Sequence, residues 1–268
     1  MGSASDQVAK PRGRLLVVLL LFGLLAAVCL GAIYYAGDLS KLQTVVAARE
    51  GRTALRGVTD PGELDQAIEQ YPSNKLLRLV ALANRDMNEI DAAAQKLLDE
   101  AAPRPLPSLG DLGAASRNDL DALRRDLKTA EANVAASAAR YNEQLRSARE
   151  NVEKDARSVN VGDERLSSFM AMIDEQHTVW IALASKKLAA SADYYNAYEK
   201  CAALLMREFG TYRIENGQFV FPFQSTANGY NRAAAAMTDA AKRESELDSE
   251  RASLRQSELS RWKALVEQ

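Results

Sequence analysis

Apolar and polar positions along this chain change their period several times, and each change predicts a different kind of element. The first pattern is an uncharged run from Leu15 to Gly37, LLVVLLLFGLLAAVCLGAIYYAG. It is long enough to cross a bilayer core as a helix. The pattern after it is helical and amphipathic almost to the end, so the expected fold class is all-α. Residues 39–56 carry apolar positions at Leu42, Val45, Val46 and Leu55, and Gly57 closes that stretch. Asp60-Pro61-Gly62-Glu63 has the form of a helix start, with Asp60 as the N-cap and Glu63 reaching back to it. A short helix follows with Leu64, Ala67, Ile68 and Tyr71 on one face, and Pro72-Ser73 breaks it.

The pattern then predicts two helices, at about 74–84 and 88–101. Leu76, Leu77, Val80, Ala81 and Ala83 would face Ile90, Ala93, Ala94, Leu97 and Leu98 as a small helical hairpin. In outline the pair resembles one tetratricopeptide unit, in a single short copy without the aromatic signature. A unit of this kind cannot bury its apolar face alone, so it should pack on something else.

Three prolines and two glycines in APRPLPSLGDLGAA, residues 102–115, mark a linker or rigid elbow. Long helices come next. From Leu120 to Val159 the apolar positions recur about every 3.55 residues, between the heptad and the straight-helix values. A turn at Asn160-Val161-Gly162-Asp163, with Asp163 as the expected N-cap, leads to a second helix ending near Phe209. The period then drops to two. Tyr212-Arg213-Ile214-Glu215-Asn216-Gly217-Gln218-Phe219-Val220-Phe221 predicts a β-hairpin on an Asn-Gly turn. Its register puts Tyr212, Ile214, Phe219 and Phe221 on one face, a candidate packing or docking face for the bundle end or the 61–102 helices.

The last helix, from about Ser225 to Glu267, has its apolar stripe interrupted at seven-residue spacing by Glu244, Arg251 and Glu258. Buried charge is costly unless paired, so these three form a candidate seam, partly exposed or facing a partner. Helices of similar length on short connections predict an antiparallel up-down-up three-helix bundle, roughly 65–70 Å long. The hairpin would then share an end with residue 117, opposite the 160–163 turn and the C-terminus.

The expected organisation is a cytoplasmic tail (1–14), a transmembrane anchor (15–37), a membrane-proximal helical module (38–102), a Pro/Gly linker (103–116) and the bundle (117–268), with the hairpin at 211–222. Lys10, Arg12 and Arg14 precede the anchor, while Asp38 and Lys41 cancel after it. The positive-inside bias therefore predicts a cytoplasmic N-terminus and an extracytoplasmic body, periplasmic in a bacterium. The run is longer than the apolar core of a signal peptide and ends in a poor cleavage site, so it is read as uncleaved. Gly23, Ala27 and Gly31 recur every four residues within it, a candidate face for helix association in the membrane.

Composition narrows the function classes. Of the formal net charge of −2, residues 1–36 carry +2 (Asp6 against Lys10, Arg12 and Arg14), leaving the body at −4. No basic block suggests nucleic acid. Cys29 lies in the apolar run, and the lone body cysteine, Cys201, has no internal disulfide partner there. No glycine-rich phosphate loop, nucleophile elbow or Cys/His cluster occurs, so no catalytic, cofactor-binding or metal-ligating residue is assigned. The single histidine, His177, lies on or beside the apolar seam and reads as a packing residue. The expectation is a non-enzymatic scaffold, spacer or accessory subunit of a cell-envelope assembly, with other envelope proteins or itself as partners. The alternative is a component of an envelope transport or sensory system; export-pump adaptors resemble this chain in their pairing of an N-terminal anchor with a coiled-coil hairpin.

Overall fold

The structure is a computed structural model, and it describes residues 45–102 and 105–267. The apolar run at 15–37, with Gly23, Ala27 and Gly31, lies outside the described residues. No helix among the described residues is long and apolar enough to cross a membrane. The described chain is mostly helical, with one two-stranded sheet.

Helix α1 (45–55) leads into a 3-10 turn at Pro61–Glu63 and the short α2 (Leu64–Glu69). The turn is held by the capping box read from the sequence. Gly62 N–H donates to Asp60 Oδ1 at 2.7 Å, and Glu63 Oε2 accepts from the Thr59 and Asp60 amides at 3.1 and 3.4 Å. Asn74 caps the next helix, accepting from the Leu76 and Leu77 amides at 3.0 and 3.1 Å. Its own amide donates back to Ala47 O at 2.8 Å and Glu50 Oε2 at 3.1 Å, which ties α1 to the start of α3 (Lys75–Ala101).

The expected helical hairpin within 74–101 is not formed. α3 is one unbroken helix, Lys75–Ala101. Neither Gly nor Pro falls between those residues, and Asp86 and Met87, where a turn would have stood, are both buried. An inter-helix turn there would have exposed Met87 and drawn Asp86 away from its buried partner His177. The apolar residues assigned to two facing helices therefore form one stripe, and that stripe packs against the long helices.

Those helices are α4 (Arg117–Ser158), α5 (Asp163–Arg207) and α6 (Gln224–Glu267). Ser116 and Asp119 form a capping box at the start of α4. At the start of α5 the N-cap is Gly162, with no side-chain cap, so Asp163 is the first helical residue rather than the cap. A carboxylate in the first turn is favourable in either place, because unsatisfied amides there carry partial positive charge. Asn160 adopts the left-handed conformation (φ 56°) that lets the chain reverse.

α4 packs along α5, α5 along α6, and α3 along α4. Cross-links fix the directions. Arg149 meets Asp174, Arg124 meets Glu199, and Arg243 meets Asp193, so successive long helices run antiparallel. Arg85 meets Asp155 and Arg140 meets Glu100, so α3 is antiparallel to α4. Over the half nearer the 160 turn, the bundle therefore has four helices in a ring. Over the other half it has three, closed by the 105–115 segment and the hairpin.

The core follows this division. The larger part joins Leu55, Leu64, Leu77 and Ile90 to Phe169, Trp180 and Trp262. The other joins Leu112, Leu120 and Leu127 to Tyr198, Leu205 and Tyr230. Ala101, Val134 and Leu188 lie between them. The proline-rich segment expected as a linker is packed rather than free. Leu112 is buried in a 3-10 turn (Asp111–Ala114), and the Tyr198 hydroxyl donates to Pro107 O.

Candidate functional site

Two places concentrate polar or unpartnered groups, one in each half of the bundle. The first lies where α3 meets α5 and α6. Asp91, 4% exposed, accepts both arms of Arg251, from Nε at 2.6 Å and Nη2 at 2.7 Å. Arg255 Nη1 reaches the same carboxylate at 2.6 Å, and Arg255 Nη2 reaches Asn88 at 2.6 Å. The hydrogen bonds to Asp91 hold the Arg251 guanidinium above its ordinary pKa, against the opposing effect of burial. α3 and α6 touch at few points apart from this cluster, so it is the clasp that closes the four-helix ring.

The seam of Glu244, Arg251 and Glu258 therefore turns toward its own chain. Glu244 accepts from the Ser191 hydroxyl at 2.6 Å. Glu258, 1% exposed, has Oε1 at 3.6 Å from Arg261 Nη1, and its Oε2 has no hydrogen-bond partner among the described residues. Burial raises the Glu258 pKa, an effect that Arg261 opposes and Glu175 reinforces. A three-helix reading leaves this side of α6 open; α3 occupies it and supplies the acidic partner for Arg251.

Behind the clasp, His177 Nε2 lies 2.7 Å from Asp86 Oδ2, and both side chains are buried. The partner is 91 residues away in sequence. One signal was available, because Asp86 and Asp91 sit among the apolar positions of α3, between Ala83 and Leu97. Around this pair the Gln176 amide, the Tyr141 hydroxyl and the Trp180 indole N–H have no hydrogen-bond partner among the described residues. Tyr141 titrates well above its ordinary range because it is buried, with the charges of Asp91 and Asp86 adding to the effect. Tyr141 and Trp180 also line a small cavity of about 20 Å³ beside Asp91 and Leu98, room for about one water. Both residues are buried, His177 at 6% and Asp86 at 1% exposure.

The second place is the hairpin. β1 (Arg213–Glu215) and β2 (Gln218–Val220) pair antiparallel, with Ile214 opposite Phe219. Asn216 (φ 53°) and Gly217 (φ 76°) both have positive φ, the signature of a type I′ turn, which matches the twist of the strands. Tyr212, Phe219 and Phe221 gather on Tyr230 of α6. The rings of Phe219 and Phe221 each lie 5.3 Å from that of Tyr230, and Tyr212 is 5.3 Å from Phe219. Ile214 lies over Gly113, where any Cβ would stand 2.3 Å from its Cδ1. The four face residues named from the sequence thus come together on the bundle end and the 3-10 turn. Nearby Cys201 is fully buried, and burial pushes its thiol up to about 12.

Among the described residues, no group of three or more His, Cys, Asp or Glu side chains is placed to hold a metal ion. Comparison of the chain with protein-family models, curated proteins and solved structures finds no match.

Proposed function

We propose that this chain is a membrane-anchored, non-enzymatic spacer or accessory subunit of an extracytoplasmic assembly, acting through contacts made by its helical body. The observation that carries the reading is the placement of the two ends. α1, the described element nearest in sequence to the apolar run, packs on the last turns of α6, where a Cβ at Gly51 would meet Val266 Cγ1 at 2.2 Å. Lys75 Nζ donates to Asn160 O at 2.6 Å, so the 160 turn lies at the same end. The hairpin stands at the opposite end, roughly 65 Å away along the 44 residues of α6. A body tethered through α1 would carry its hairpin far from the bilayer.

Orientation tests the reading directly. In spheroplasts, a membrane-impermeant thiol reagent should label the full chain carrying Ser249→Cys and leave Ser3→Cys unlabelled until the membrane is opened. Extraction of the chain by alkaline carbonate, or the reverse labelling, would overturn it.

A further inference from the structure

We propose that β1 is a self-pairing edge, through which two copies of this chain join their hairpins into one four-stranded sheet. The inference goes beyond anchoring and does not depend on which side of a membrane the body occupies.

In a hairpin closed by a two-residue turn, the residues flanking the turn exchange hydrogen bonds, and bonded and non-bonded pairs then alternate. Here the flanking pair is Glu215 and Gln218. Ile214 and Phe219 are therefore the non-bonded pair, and the Ile214 N–H and C=O point away from β2. All three residues of β1 are exposed. Among the described residues, no backbone bond outside the hairpin reaches Ile214. An open edge of this kind is a template for another strand.

The side chains say which strand it fits. A second β1, laid antiparallel about a two-fold axis through Ile214, puts Ile214 opposite Ile214 of the second copy as a hydrogen-bonded pair. Arg213 then stands opposite Glu215 of the second copy, and Glu215 opposite its Arg213. Both are non-bonded positions, where facing side chains come closest. Neither Arg213 nor Glu215 makes an ion pair or side-chain hydrogen bond among the described residues, so each is free for this contact. A two-fold interface requires a self-complementary patch, and Arg-Ile-Glu is one. The edge of β2 is not, since self-pairing there would set Gln218 against Val220. Phe209, Val220 and Phe223 are also exposed around the hairpin and supply apolar surface at its rim. Two ladder bonds and two exposed ion pairs make a weak contact in dilute solution, one that confinement of copies in a common membrane strengthens.

The test is a register-specific cross-link in the full chain, reconstituted at high density in lipid vesicles, with Cys29→Ser to silence the cysteine in the apolar run. Chains carrying Arg213→Cys are mixed with chains carrying Glu215→Cys and oxidised gently. Facing non-bonded residues come within reach of a disulfide, whereas a residue and its own copy are two positions out of register. The mixture should give several-fold more disulfide dimer than either chain alone. Equal yields in all three samples, or no dimer, would overturn the proposal. A charge series provides an independent readout. Arg213→Glu should abolish tip-to-tip energy transfer between labelled chains, and Arg213→Glu with Glu215→Arg should restore it. A double exchange as defective as the single one would show that the edge serves another partner and would overturn self-pairing.

Discussion

The α3 half of the bundle and the hairpin half are built on the same three long helices, yet they are closed by different chemistry. In the α3 half, a fourth helix completes the ring, and buried polar groups set its position: Asp91 between two arginines, and Asp86 against His177. In the hairpin half, a two-stranded ribbon and a proline-rich turn complete it, and aromatic packing on Tyr230 sets the position. A buried ion pair contributes little net stability over apolar residues of similar volume, but removing one partner costs a great deal. Aromatic packing is less sensitive to small shifts along a helix. The α3 half should therefore be the stricter in register, and the hairpin half the more tolerant of substitution.

Asp91→Ala should produce the largest effect. It removes the acceptor of three arginine hydrogen bonds and leaves Arg251 and Arg255 without the carboxylate they share. Loss of a partner from a buried pair costs about 3–5 kcal/mol, and the partial exposure of both arginines places this case near about 3 kcal/mol. Hydrogen exchange would locate the damage. Protection should fall in α3 and the facing part of α6 and persist in the hairpin half. Equal loss at both ends would show one cooperative unit and erase the contrast between the halves.

A pair of glycines sharpens the contrast at intermediate size. A Cβ at Gly51 would stand 2.2 Å from Val266 Cγ1, and a Cβ at Gly113 would stand 2.3 Å from Ile214 Cδ1. The distances match but the neighbours differ. Val266 is fully buried and branched at Cβ, so its methyl group has no free rotamer to take. The Ile214 methyl ends a longer, half-exposed side chain that can swing away. Gly51→Ala should cost about 1–3 kcal/mol by overpacking, relieved in part by Val266→Ala, whereas Gly113→Ala should stay within about 0.5 kcal/mol. Thermal unfolding of the four chains measures both. Equal losses would mean that the hairpin end is as rigidly packed as the other.

Much of this architecture was legible in the sequence because it is written in short-range patterns. The Asp60–Glu63 capping box, the Asn216-Gly217 turn and the apolar periods of α4 to α6 depend on neighbours a few residues apart. The break assigned within 74–101 failed for the same reason. Apolar faces on both sides of Arg85 suit two facing helices or one continuous stripe, and without Gly or Pro the backbone continues. The polar clasp could not be read at all, because Asp91 and Arg251 are 160 residues apart and meet only once α3 lies against α6. Until that packing exists, Glu244, Arg251 and Glu258 look like charges in search of a partner outside the chain. The packed Leu112 turn was hidden by composition, since three prolines resemble a linker whether or not a core residue sits among them.

Glu258 gives the smallest effect, and its sign separates cost from benefit inside the α3 half. Burial raises its carboxyl above the ordinary value of 4.5, so the folded chain holds the Glu258 proton to higher pH than the unfolded chain does. Between the two values folding takes up a proton. The contribution of Glu258 to stability is therefore fully present below pH 4.5 and falls as pH rises through the folded-state value. Above that it remains as a constant penalty for an ionised, half-partnered carboxylate. Glu258→Gln keeps the acceptor near Arg261 and removes the charge. The variant should lose this downward slope and gain on the wild-type chain as pH rises from 4.5 toward neutrality, as measured by denaturant midpoints across that range. Asp91, which accepts from both Arg251 and Arg255, should show no such relief in Asp91→Asn, because an amide cannot accept both arms of Arg251 as well as Arg255. If Glu258→Gln and Asp91→Asn change stability with the same sign at neutral pH, the distinction between a paired and a half-paired buried carboxylate does not hold in this bundle.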